Sequence, residues 1–524
     1  MIKEWKKSIY AFGAKYKGVI MLTFFMTLIC YANHAWSTNI GIDTEQYIIG
    51  LYGKDWVLQG LGRFGCYYTT MLFNMGQFNP YANGLFFLVL FSSAVLVWIY
   101  VFNLINDGKK KYCYGIFSVI LISHPLWVTQ FYFSLQEAAI ATGFFVQALA
   151  FILLFDVLLN NRTSTERWLE LGMSVICAVW AFGTYQTFAG MHLAEAAACL
   201  LLLFENMRNV YSEKEFHKIF WRRAFAVVGH FLGSFFLYQA VCKIFHWGTS
   251  NYLQIRWGTE SKREIIQKLW EDFRNILFGK EVYAGWIVLI AIIVIAILIG
   301  KEILGKDSLW MKLEYIGLLF GNVICMVALN IVIGEVPADR ARLTVAFSAA
   351  FLGMYVIHKS VQVAKSSIAS MGLVGCVGVV IGLSIICQID RTQTLLYTDK
   401  ICNEQQYEVG NDIVKNIQQL GGQDEDTVII IGKWDAPLNN ACLKQAPIGV
   451  SSFHWDYSKK KPTSGTRRAI LYLNAAFGKN YQYEISEEQR DILVEAAKDM
   501  PSYPEQGYVI QKDNIYVVKL SDFS

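Results

Sequence analysis

Apolar runs of about twenty residues recur along most of the chain, and nothing else in the sequence restricts its fold as tightly. Hydrocarbon offers a backbone no hydrogen-bond partner. A crossing segment must therefore satisfy its own N–H and C=O groups, and as a helix this takes about 20 residues. Eleven segments have that length and character: 18–36, 81–102, 112–131, 137–158, 168–185, 187–204, 221–244, 284–304, 313–333, 341–357 and 370–388. They predict a polytopic α-helical membrane protein with about eleven transmembrane helices. The first run follows Lys3, Lys6, Lys7, Lys15 and Lys17. It is too long for the apolar core of a cleaved leader and no A-x-A site follows, so it is expected to stay as an anchor.

Only 17% of the residues are charged, against roughly 25% in a soluble domain. Residues 1–389 hold 31 Lys and Arg against 23 Asp and Glu, while residues 390–524 hold 15 against 19. This division predicts a membrane module over 1–389 and a small soluble domain over 390–524. It excludes a single soluble globule, a nucleic-acid binder and a disordered chain. Twenty basic residues, among them Lys109, Lys110, Lys111 and Lys365, flank the segment ends that share a side with the N-terminus. The short loops of the other side hold four, Lys54, Arg63, Arg340 and Arg342, and a long outer loop over 245–283 holds six more. The positive-inside rule then places the N-terminus in the cytoplasm, and an odd number of spans places residues 390–524 outside.

Two outer segments are more than connections. Residues 37–80 carry Ile48, Ile49, Tyr52 and Trp56, then Phe64, Tyr67, Tyr68, Met71 and Leu72, at helical spacing. In 262–278, Ile265, Ile266, Leu269, Phe273, Ile276 and Leu277 oppose Lys262, Arg263, Lys268, Asp272 and Arg274. Both patterns predict helices lying in the interface plane. Residues 390–524 alternate patterns as a small α/β domain does. A helix is expected over 403–420 and buried strands over Val428–Ile431 and Ile470–Leu473. A capping box at Ser486 and Gln489 opens another helix, and Tyr508–Gln511 and Ile515–Leu520 form a hairpin. No nucleophile elbow, P-loop or dinucleotide fingerprint is present. The cysteines follow no metal-binding spacing; Cys402 and Cys442 lie in the soluble part, where they could pair as a disulfide.

Ionisable groups inside spans are costly and suggest function. Asp156, Glu170 and Glu205 fall at cytoplasmic ends, where a charge reaches water. The rest collect at outer ends: Asp43 and Glu45, Arg63, His124 and Gln130, Gln136 and Glu137, Tyr185 and Gln186, His192 and Glu195, and Glu335, Asp339, Arg340 and Arg342. A transporter places such groups near the midplane between broken helices or repeats. Gathering at one face suits chemistry on a lipid-linked substrate, with a carboxylate to take a proton and guanidinium groups to hold an anionic leaving group. A flippase or transporter of a lipid-linked glycan and a non-catalytic scaffold for envelope assembly remain the competing readings.

The run Asn39-Ile40-Gly41-Ile42-Asp43-Thr44-Glu45, followed by Gly60-Leu61-Gly62-Arg63-Phe64-Gly65, resembles the first outer loop of the type II glucosyltransferase family, bacterial and phage membrane enzymes that decorate O-antigens and other surface glycans. His124-Pro125, Thr184-Tyr185-Gln186 and Arg340-Ala341-Arg342 fit the same pattern, so the likeness covers most of residues 1–389. The resemblance implies a GT-C architecture in a bacterial cytoplasmic membrane and a polyprenyl-phosphate-linked sugar donor on the outer leaflet. It also implies a surface glycan such as O-antigen or teichoic acid as acceptor, and an acidic base in the first outer loop. On that reading Asp43 takes the acceptor proton, with Glu45 as its rival, and some of Arg63, Arg340 and Arg342 hold the leaving phosphate. Glu137, Tyr185, Gln186, His192 and Glu195 are then candidates for binding sugar or acceptor. The alternatives are an Asp43 that caps a helix, arginines that meet lipid headgroups, and polar residues that bond between helices. Arg340 and Arg342 stand two apart and cannot share a helical face. No cofactor or metal is expected. The expected partners are the bilayer, the lipid-linked sugar, the acceptor glycan and the synthase and flippase that supply the donor.

Overall fold

The computed structural model describes residues 2–51, 54–74, 77–108, 112–208, 210–250, 256–364 and 368–523. Tyr52, Lys109, Lys110, Lys111 and Lys365, which entered the sequence reading, lie outside the described residues. The chain opens with helices α1 (Ile2–Lys15) and α2 (Lys17–Ala35). The first outer segment folds as α3 (Thr44–Ile48), a π-helical turn (Lys54–Gly60) and α4 (Phe64–Asn74). Then follow α5 (Pro80–Ile105), α6 (Tyr114–Ser123), α7 (Leu126–Phe131), α8 (Glu137–Leu159), α9 (Ser164–Thr184), α10 (Thr187–Met207) and α11 (Glu213–Ile244). The set continues with α12 (Lys262–Leu277), α13 (Ile287–Leu304), α14 (Leu309–Cys325), α15 (Ala328–Ile333), α16 (Leu343–Ala364) and α17 (Ile368–Gln419). Among the described residues, eight helices are long and apolar enough to cross a membrane.

Helix ends follow local chemistry. Asn79 accepts from the Ala82 N–H at 3.0 Å and Pro80 fills the first turn of α5, where no N–H is needed. Pro125 splits the predicted 112–131 segment into α6 and α7. Proline disfavours a helical residue before it, and His124 is extended at ψ 122°. Tyr185, extended at φ −155°, separates α9 from α10.

The core of the helical part is aromatic: Trp98 meets Phe347 at 5.0 Å between ring centroids, and Phe102 meets Phe117 at 5.0 Å. Hydroxyls join neighbouring helices, as between Thr23 and Ser118 at 2.7 Å and from Ser92 to Thr27 at 3.0 Å. Met21, Phe25, Leu85, Phe225, Phe236, Ile293, Phe320 and Leu383 are exposed on the outer helix faces. Water would penalise so much apolar surface, whereas lipid would not.

Residues beyond α17 form a three-stranded sheet in the order β1 (Thr427–Ile431), β3 (Ile515–Lys519), β2 (Val509–Lys512), with α18 (Thr466–Phe477) and α19 (Glu487–Ala497). β1 and β3 are parallel, β2 and β3 antiparallel. The hairpin turns through Asp513 and Asn514, both at positive φ, as a two-residue loop between twisted strands requires. The Ser486–Gln489 capping box is present.

Two sequence expectations are corrected and one open alternative is decided. Ile470–Leu473 is not a strand but the buried middle of α18; an apolar run this short has the same composition in either element. Asp272 is not on the solvent face of α12 but buried, because Arg342 and the Tyr283 hydroxyl draw it inward. Cys402 and Cys442 are free thiols rather than a disulfide. In addition, the 370–388 segment and the 403–420 helix are parts of one 52-residue helix, α17, that runs through residues 389 and 390 without a break.

Candidate active site

A cavity of about 690 Å³ opens where the first outer segment, the α7–α8 connection, the α9–α10 break and the loop before α16 meet. Asp43, Arg63, Gln130, Gln136, Tyr185 and Arg340 all line it, as the sequence grouping anticipated. Its remaining wall comes from the far end of the chain: Trp455, Asp456, Arg467 and Arg468.

Asp43 stands at the start of α3 with φ 72°, a left-handed conformation that Asp tolerates better than most residues. Its carboxylate does not cap the helix. It accepts instead from Arg468 Nη1 at 2.9 Å and from Gln46 Nε2 at 3.3 Å. The Asp43 side chain is 35% exposed, whereas that of Glu45 is 0% exposed. Glu45 lies behind it, bonded to the same guanidinium, and burial pushes its carboxyl up to about 7, with Arg468 pulling the other way and Asp43 adding to the rise. Of the two acids, only Asp43 can meet a substrate.

Arg468 also donates from Nε to Asp456 at 3.0 Å. Burial disfavours its charge, but Glu45, Asp43 and Asp456 outweigh that and hold the guanidinium above the usual arginine value. Arg467, next in the helix, reaches Gln46 Oε1 at 3.5 Å.

Opposite these groups, Arg63 lies over the Tyr185 ring at 4.4 Å and donates from Nε to Gln186 at 3.0 Å. Gln186, tied further to the Leu61 carbonyl and to the Tyr238 hydroxyl at 3.2 Å, positions Arg63 from behind the cavity wall. Arg340 lies over the Phe133 ring at 5.4 Å. Both guanidinium groups thus have one face against an aromatic ring and an edge towards the cavity, an arrangement suited to a phosphate.

The other predicted residues do not reach this space. Arg342 is buried among Asp272, Asp339 and the Tyr283 hydroxyl, where it ties the loop before α16 to α12. Glu137 pairs with His34 at 2.9 Å and accepts from Asn83 at 3.1 Å, joining α8 to α2 and α5. Glu195 accepts from Gln147, and His192 packs between Phe151 and His230, both deep within the helices. Among the described residues no group of three or more metal-ligating side chains occurs.

Sequence reasoning missed the wall formed by Trp455, Asp456, Arg467 and Arg468. Its one visible trace is an adjacent arginine pair within an otherwise acidic segment. Comparison with known proteins gives one finding: the family model described as Glucosyl transferase GtrII matches residues 36–392. No curated protein and no solved structure matches the chain. The matched span takes in Asp43, Arg63, Tyr185 and Arg340 and ends before the C-terminal wall begins.

Proposed function

We propose that this chain, which belongs to the GtrII glucosyl transferase family, moves a hexosyl group from a polyprenyl-phosphate-linked donor to a surface glycan at the outer face of a bacterial cytoplasmic membrane. Family membership makes it a glycosyltransferase of glycan modification; the donor, the face and the mechanism are our reading. The observation that carries it is the meeting of the reachable first-loop carboxylate, Asp43, with the two aromatic-backed arginines Arg63 and Arg340 in a single cavity. Reactions that attach hexose to a polyprenyl phosphate, and a step that turns the product to the outer leaflet, must supply such a donor.

In this mechanism the acceptor hydroxyl gives its proton to the Asp43 carboxylate as its oxygen bonds to the anomeric carbon. The bond from that carbon to the phosphate oxygen breaks on the opposite side, so the centre inverts. The electron pair leaves with polyprenyl phosphate, whose developing charge Arg63 and Arg340 meet with fixed donors. A leaving phosphate neutralised by two guanidinium groups requires no metal. The topology that accompanies this reading has the N-terminus inside and the sheet-bearing C-terminal part outside.

Asp43→Asn keeps the size and hydrogen bonds of the side chain and removes the base. Sugar transfer in proteoliposomes is expected to fall by a factor of at least 100, while membrane insertion and yield stay unchanged. Retained transfer would remove Asp43 from the mechanism.

A further inference from the structure

A second cavity, of about 560 Å³, opens between the start of α18 and the segment leading into α19. Arg467 lines both cavities, so the two adjoin across a single side chain. A cavity the size of the first holds a ligand of drug-like dimensions, such as a hexosyl phosphate with one acceptor sugar. A longer glycan has to leave it, and Arg467 marks a way out beside Asp43.

The second cavity has the chemistry for sugars that carry charge. Lys461, Arg467 and Arg490 line it, with Glu484 as the carboxylate of its wall. Lys461 is held by Glu487 at 2.9 Å at the rim, and Arg490 donates to the Thr463 hydroxyl at 3.5 Å. Three cations against two carboxylates leave a positive surface, in a segment whose overall balance is 15 basic to 19 acidic residues. The half-buried Tyr483 adds a ring with an apolar face and a polar tip. Planar guanidinium forks pair with carboxylate or phosphate oxygens two bonds at a time.

We propose that this second cavity binds the acceptor glycan beyond the reacting sugar, and that the glycan is anionic, bearing a carboxylate or a phosphate close to the residue that is modified. The proposal rests on the glycosyltransferase reading for its direction, with the reacting hydroxyl at Asp43 and the continuing chain passing over Arg467. It assigns the C-terminal part, which the family match does not reach, to selection of the acceptor.

The test is a binding measurement on the full-length protein in phosphatidylcholine nanodiscs without donor, so that it stands whether or not transfer occurs. Tetragalacturonate, tetra(glycerol phosphate) and neutral maltotetraose are the probes. At least one anionic probe is expected to bind saturably and at least tenfold more tightly than maltotetraose; which of the two binds better names the anion. The double substitution Lys461→Gln with Arg490→Gln should weaken that binding tenfold or more. Raising salt from 0.05 to 0.5 M should weaken it in the unsubstituted protein, a check that needs no variant to fold. Equal affinity for the neutral probe, no anionic binding, or binding indifferent to both salt and substitution would each overturn the proposal. Transfer abolished by Asp43→Asn together with no probe binding would leave the enzyme reading standing and remove only this subsite.

Discussion

Replacing Arg468 by Gln withdraws one guanidinium from three carboxylates at once, and the cost should depend on pH in a way that the geometry fixes. Asp43 and Asp456 are 35% and 40% exposed, so each of their pairs contributes about 0–1 kcal/mol. Glu45 is sealed, and an unpaired buried charge costs about 3–5 kcal/mol when it must remain charged. Glu45 can instead take a proton. Its carboxyl sits at about 7 against an ordinary 4.5 even with Arg468 present, and without Arg468 it rises further. A raised carboxyl favours the protonated fold, so its contribution is complete below 4.5 and is lost as pH climbs through the folded value. In the native protein that loss ends near 7, whereas in Arg468→Gln it continues to higher pH. The two proteins should therefore differ by only about 0–2 kcal/mol at pH 6. The gap should widen by about 1.4 kcal/mol per unit above 7, or about 2 kcal/mol more at pH 8.5. Amide hydrogen exchange over residues 43–48, corrected for intrinsic rates and followed in nanodiscs at pH 6 and 8.5, reads this opening energy directly. A loss of protection equal at the two pH values, or larger at pH 6, would refute the assignment of Glu45 as the titrating partner.

Two further outcomes separate architecture from chemistry. Arg342→Gln leaves Asp272 and Asp339 buried without their cation and should cost about 3–5 kcal/mol, seen as a lower melting temperature and yield. Arg340→Gln should transfer sugar about 100-fold more slowly, measured with the donor in proteoliposomes at equal amounts of folded protein. At Gly84 an added Cβ would run into the Ala35 carbonyl oxygen, so Gly84→Ala must part α2 from α5. It should destabilise by about 1–3 kcal/mol, whereas Gly172→Ala, inside α9 with open space around it, should hold or slightly raise the melting temperature.

The parts of this molecule that follow from local rules were legible in the sequence. Apolar length marked the helices and the Ser486–Gln489 pattern marked the start of α19, although apolar length alone runs 112–131 together across the break at Pro125. Sorting polar residues by depth grouped Asp43, Arg63, Tyr185 and Arg340, which line one cavity, because one end of a helix bundle is a small region and few polar groups compete for it. Depth says nothing about direction around a helix. Arg342, Glu137, His192 and Glu195 were therefore grouped with the site although they turn towards neighbouring helices. The Asp456 and Arg468 wall was invisible for a different reason: no periodicity or motif links it to Asp43. That contact exists only because the C-terminal sheet packs back over the first outer segment, and α18 touches α3 there.

The sequence separation of that contact has a bearing on biosynthesis. Arg468 and Asp43 lie 425 residues apart, and a ribosome adding about 5–20 residues per second needs roughly 20 to 85 s to travel between them. For all of that interval Asp43 and Glu45 exist without the guanidinium that holds them, and the cavity lacks a side. No unfinished chain carries a closed site, whatever fraction of its helices has already entered the bilayer. A nascent chain would in this way be kept idle until the segment that bears Arg468 has folded back over Asp43.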